Sequence, residues 1–226
     1  KDIVITPQRY LIEALGAMAQ GLFASLLIGT IIKTLGQQTG LDVLVDLGGW
    51  GEGLLLEAHA DTLGGMVAEV KNSGRLRLTP LGGMRAENGE AENVRVYTRG
   101  GRVLEGTFQL CNASVHVNGQ YGDTKRTFDS CEVVLDEDVK SAEETRTLGV
   151  EVGDVVCFEP RTRLTASGYI KSRFLDDKLS VGILLGLAKY LKDTGTVPQR
   201  HVYLHVTVYE EVGHCSLIHI SEPTRH

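Results

Sequence analysis

The chain has 226 residues and a formal net charge of −6, with 23 Lys and Arg against 29 Asp and Glu. That length exceeds the roughly 100 to 200 residues of one ordinary domain, so one large or two modest domains fit and a sizeable core can form. An acidic chain with no Lys/Arg cluster interleaved with aromatics repels phosphate backbones, so a nucleic-acid partner is not expected.

The elements begin with an apolar run at residues 14–32 (ALGAMAQGLFASLLIGTII), broken only by Gln20, Ser25 and Thr30 and bracketed by Glu13 and Lys33. It is long enough for a membrane-type helix, and Gly16, Ala17, Gly21, Ala24 and Gly29 are the small residues that let such helices pack. A buried core helix is the competing reading. A signal peptide fits less well, because no A-x-A-like cleavage site follows. The pattern changes at residues 37–40, where LGQQTG gives way to the strand-like LDVLVDL. Turn glycines at 48, 49, 51 and 53 precede the short apolar run LLLEA, and His59 stands at its end.

From Met66 to about Arg163 the chain holds short β-like runs separated by Gly, Asn and Asp: RLRLTPLGG, NVRVYT, RVLEGTFQL, ASVHVNG, CEVVLDED and GDVVCFEP. Such spacing predicts a small barrel or sandwich. The period then lengthens. Leu179, Ile183, Leu184, Leu187, Ala188 and Leu191 share a helical face, and Gly195 with Pro198 ends it. Residues 201–209 alternate as a strand that feeds Glu210-Glu211. Two α/β-like pieces separated by about a hundred residues require the middle to be a domain of its own. The four cysteines, Cys111, Cys131, Cys157 and Cys215, are scattered without C-x-x-C pairing, and we read them as free thiols of a cytoplasmic protein.

Three short motifs could carry chemistry. His59 and Asp61 lie two apart, so they share one face of an extended strand end, where the imidazole can hold a metal and the carboxylate orient it. Asp176 and Asp177 precede a helix: they suit helix capping, and equally a carboxylate that bridges two divalent ions. Adjacent Glu210 and Glu211 repel each other unless a cation intervenes, in which case one can bind the ion and the other serve as a base. A pair of solvated acids at a loop is the alternative. His116, His201, His205 and His214 are weaker candidates, and His205 within a strand fits simple packing. The chain has no H-E-x-x-H, nucleophile elbow or phosphate-binding glycine loop.

In order, AHADTLGGMV, SGYIKSRFLDDKLSVGILLGL and TVYEEVGH resemble the tetrahedral-type (TET) glutamyl and deblocking aminopeptidases, two-metal exopeptidases, from about Leu41 to His214. The resemblance implies His59 as ligand of one metal, Asp61 as its orienter, Asp176 as bridging carboxylate, Glu210 as general base and Glu211 as a further ligand. It implies two divalent ions, zinc, cobalt or manganese, and peptide substrates with free N-termini. The fold it implies is α/β: a catalytic domain at 41–65 and 166–215, interrupted at 66–165 by a PDZ-like β-barrel used in dimer contacts, with dimers building up to a dodecamer.

Three features depart from that family. Two further ligands, an Asp and a His, fall downstream of the EEVG turn in the family and are absent here. Residues 7–41 resemble the first membrane helix of a phosphotransferase-system sugar permease, so residues 1–40 are read as foreign. Residues 216–226, within SLIHISEPTRH, resemble a translated sequencing adapter and are read as a non-native tail. The expectation is a mis-assembled reading frame whose aminopeptidase portion is truncated and inactive. The alternatives are a non-catalytic oligomerisation or binding module built on the β insert, and a membrane-anchored permease-derived fragment if the 14–32 helix is genuine.

Overall fold

The computed structural model describes residues 43–213, which form two compact units: Leu63–Arg161, and a flanking unit made of the chain up to Thr62 and from Thr162. The apolar run at 14–32, the tail at 216–226, His214 and Cys215 lie outside the described residues. Among the described residues, no helix is long and apolar enough to cross a membrane.

In chain order the strands are β1 (Val43–Asp46), β2 (Gly53–His59), β3 (Gly64–Val70), β4 (Leu76–Leu81), β5 (Glu92–Tyr97), β6 (Val103–Leu110) and β7 (Cys131–Leu135). A short helix α1 (Ala142–Thr147) and β8 (Val155–Phe158) complete the Leu63–Arg161 unit. The flanking unit resumes with the two-residue pair β9 (Arg163–Leu164) and β10 (Ile170–Lys171), then helix α2 (Leu175–Thr194) and β11 (His201–Thr207).

The Leu63–Arg161 unit is a closed six-stranded barrel in the order β3-β4-β7-β6-β5-β8, antiparallel throughout. Its strands alternate as half-buried strands must: Leu104, Phe108 and Leu110 of β6 and Val94 and Val96 of β5 point inward, with polar residues between them. Phe108 is fully buried and packs edge-on against Phe158, centroids 5.3 Å apart, and tilted against Phe128 at 5.6 Å. Gly106 lets β6 approach β7, because a Cβ there would stand 2.5 Å from the Val134 carbonyl oxygen. The buried Glu132 is compensated by Lys71 Nζ at 2.8 Å and Arg75 Nη1 at 2.6 Å. Burial pushes its carboxyl up, but the two cations outweigh that and hold it below the usual range.

Five of the six β-like runs become barrel strands, and ASVHVNG does not. Residues 113–119 run in turns, with the Asn118 N–H donating to Ser114 O at 2.8 Å and Val115 and Val117 58% and 80% exposed. The alternation of that run is genuine, but the barrel closes without it and leaves it no partner strand. The helix α1 escaped the pattern because it is only six residues long. Its signal is the S-x-x-E box: Ser141 Oγ accepts the Glu144 N–H, and the Glu144 carboxylate accepts the Ser141 N–H.

In the flanking unit β11 lies between β1, antiparallel to it, and β2, parallel to it. Ala58, Val202, Leu204 and Val206 are buried on this sheet. α2 packs against β2 with Leu184, Leu187, Ala188 and Leu191 half-covered, whereas Ile183, expected on that face, is 58% exposed. The register sets Thr207 beside His59, so the parallel strands end together. The chain leaving β11 therefore turns directly over the end of β2, at the carboxyl edge where α/β sheets gather ligands.

Candidate metal centre

His59 is the last residue of β2 and is 8% exposed. Its Nδ1 faces Asp61, 3.3 Å from the backbone oxygen and 3.4 Å from Oδ1. On the other side, Nε2 lies 3.2 Å from Asp176 Oδ1 and 3.7 Å from Glu210 Oε2. Asp61 also does something its spacing from His59 does not reveal. Its carboxylate accepts the backbone N–H of Glu210 at 3.3 Å and of Glu211 at 2.9 Å, tying the Glu210–Val212 3-10 turn to the end of β2. Gly213, at φ +86°, then turns the chain away as only glycine does readily.

Asp176 does not cap α2. The residue before the helix is Phe174, in the left-handed region at φ +57° and with no side-chain cap bond, and helical geometry is interrupted at Asp176 (ψ 113°) and Asp177. The Asp176–Asp177 peptide is cis. The Asp176 side chain remains 89% exposed, with Oδ1 directed at His59. His59, Glu210 and Glu211 each offer a donor atom, and these atoms lie within 4.8 Å of one another.

The five sequence-predicted residues therefore converge, and among the described residues the other histidines do not join them. His201 bonds Asp46 at 2.9 Å and stacks on Tyr203, and His205 is buried with Nδ1 3.5 Å from Glu57 Oε1. His116 belongs to the barrel unit, on its exposed 113–119 turns.

Four carboxylates surround one imidazole, and the field shows it. Burial opposes the charged form of His59, but Asp61, Asp176 and Glu210 outweigh it and raise the imidazole above its ordinary value of 6.5. Burial, with Glu210, Asp176 and Asp61, raises the Glu211 carboxyl despite the nearby His59. One nitrogen and several oxygens gathered around unbalanced negative charge fit a divalent cation.

These shifts set a pH dependence. Both groups bind protons more tightly when folded, so each contributes stability at low pH that is lost as pH rises through its raised folded value. A divalent ion held by these groups would compete with those protons. The rise in melting temperature caused by saturating zinc is therefore expected to grow from about pH 5 to about pH 7.5. An equal rise at both pH values would contradict it.

A sequence profile of the M42 glutamyl aminopeptidases matches residues 43–223, and the chain belongs to this family. It is 39% identical over 160 residues to the putative aminopeptidase YhfE of Bacillus subtilis, covering 71% of this chain and 46% of that protein. The lysyl aminopeptidase of Pyrococcus furiosus is 24% identical over 191 residues, covering 83% and 53%. Among solved structures, the Pyrococcus horikoshii TET1 peptidase, described as assembling into a tetrahedron or a large octahedral shell, superposes with a TM-score of 0.64 at 27% identity. That match covers 76% of this chain and 50% of the other. The chain thus spans about half the length of the curated relatives it matches.

Proposed function

We propose that this chain contributes to a two-metal aminopeptidase site that releases N-terminal residues from peptides. The observation that supports it most is that donor atoms of His59, Glu210 and Glu211 lie within 4.8 Å of one another, with Asp176 Oδ1 3.2 Å from His59 Nε2, although these residues come from three separated segments. In this reading His59 and Glu211 would hold an ion, Asp176 would serve as the carboxylate shared with a second, and Asp61 orients His59. Zinc, cobalt or manganese suits such mixed N/O donors. Bound there, the ions supply Lewis-acid activation of water and of the scissile carbonyl.

The remaining work belongs to the chain's own groups. Glu210 takes a proton from the attacking water and returns it to the leaving amine, a role its pairing with Glu211 permits once Glu211 is engaged as a ligand. Asp61, by gripping both backbone N–H groups, fixes the order of the two glutamates around His59. The α/β reading of residues 41–65 and 166–215, with 66–165 as a PDZ-like insert, draws support from the separate compactness of Leu63–Arg161 and its barrel. A cytoplasmic homo-oligomer is proposed with it, by likeness to the TET1 assemblies.

The test is a full-length family protein carrying residues 43–213 of this chain, assayed on short peptides. Release of the N-terminal residue is expected, abolished by EDTA and restored by zinc, cobalt or manganese. A folded, metal-loaded protein that leaves the peptides intact would contradict the proposal.

A further inference from the structure

One buried polar group in the flanking unit has no role in the chemistry above. Thr207 is the last residue of β11 and 6% exposed, and its Oγ1 has no hydrogen-bond partner. The backbone around it is fixed, since Thr207 O accepts the Ala60 N–H at 2.9 Å. A valine has nearly the same shape as threonine and would fill this position without stranding a hydroxyl.

The neighbours narrow what the hydroxyl is for. In a parallel pair, residues in register place their side chains on the same face. Along this face His205 meets Glu57, and His201 meets Asp46 of β1. Thr207 meets His59, whose two ring nitrogens already face Asp61 and Asp176. The hydroxyl is therefore buried at the edge of the metal centre with an unspent donor, on the side where Glu210 and Glu211 leave the same strand.

Resting on the metal reading above, we propose that Thr207 is a positioning residue for that centre. When an ion is held at His59, Thr207 Oγ1 donates to a carboxylate oxygen of the cluster, directly or through one buried water, and holds that carboxylate in its ligating orientation. Outer hydrogen bonds of this kind set both ligand orientation and affinity.

Zinc alone is the probe, titrated calorimetrically into the metal-stripped full chain, with melting of the metal-free forms recorded in parallel. Thr207→Val is expected to weaken zinc binding by about 10- to 100-fold while the metal-free protein melts no lower than wild type, because an unsatisfied hydroxyl has been removed. Thr207→Ser, which keeps the hydroxyl, is expected to bind within about threefold of wild type. Should Thr207→Val fail to fold, Thr207→Ala carries the same expectation for zinc binding. Wild-type zinc affinity in the Val or Ala variant overturns the role of Thr207 and leaves the metal site standing. A wild-type chain that takes up no zinc overturns the metal reading and this inference with it.

Discussion

In a full-length family protein carrying residues 43–213 of this chain, Glu210→Gln is expected to lower kcat by about 10² to 10⁴ while leaving zinc affinity near that of wild type. Glu211→Ala is expected to lose the metal itself. The two glutamates are adjacent, yet the structure gives them different surroundings. The Glu211 N–H makes the shorter bond to Asp61, and the Glu211 carboxyl is pushed up by burial and by the other acids. Glu210 is the more loosely tied at its N–H, and its Oε2 stands 3.7 Å from His59 Nε2. Metal content by atomic absorption, measured beside kcat, separates the roles. If Glu210→Gln loses the ion and Glu211→Ala keeps it, the assignments are reversed.

Phe108→Ala is expected to cost about 4 kcal/mol, the range for deleting a fully buried aromatic ring. Against a total of about 5 to 15 kcal/mol for a typical domain, that removes much of the barrel's stability. The reason is local. Phe108 fills the interior between Phe158 and Phe128, and the strand carrying it is held close to β7 at Gly106, which limits collapse into the cavity. Val115→Ala, on an exposed turn of the same unit, should stay within about 0.5 kcal/mol of wild type. Urea denaturation followed by hydrogen exchange at the β6 amides reads both. A loss below about 1 kcal/mol for Phe108→Ala would show that the ring is not a support of the core.

Much of this site was legible in the sequence because its residues occupy strand ends and turns, where short motifs fix geometry. His59 could be placed at the end of LLLEA, and Glu210-Glu211 after an alternating strand, without knowing the sheet. What periodicity could not supply was pairing. Nothing in HVTVYEE says that β11 runs parallel to β2, or that Thr207 stands beside His59, because that register is set by long-range contacts. The grip of Asp61 on the Glu210 and Glu211 amides was hidden for the same reason, since it joins residues about 150 positions apart. The barrel strands followed their alternation, and ASVHVNG shows the limit: a strand-like pattern becomes a strand only where a neighbour has an edge to offer. Asp176 shows the converse. Its helix-start position is ordinary, and only the interrupted backbone shows its carboxylate turned to His59 instead of to the helix end.

The most direct measurement is an anomalous difference map at the zinc edge, from crystals of this chain grown with zinc. The account predicts a peak bounded by His59 Nε2 and a Glu211 carboxylate oxygen, with Asp176 on its far side. No peak at saturating zinc, or a peak held by other residues with His59 still bonded to Asp176, would contradict it.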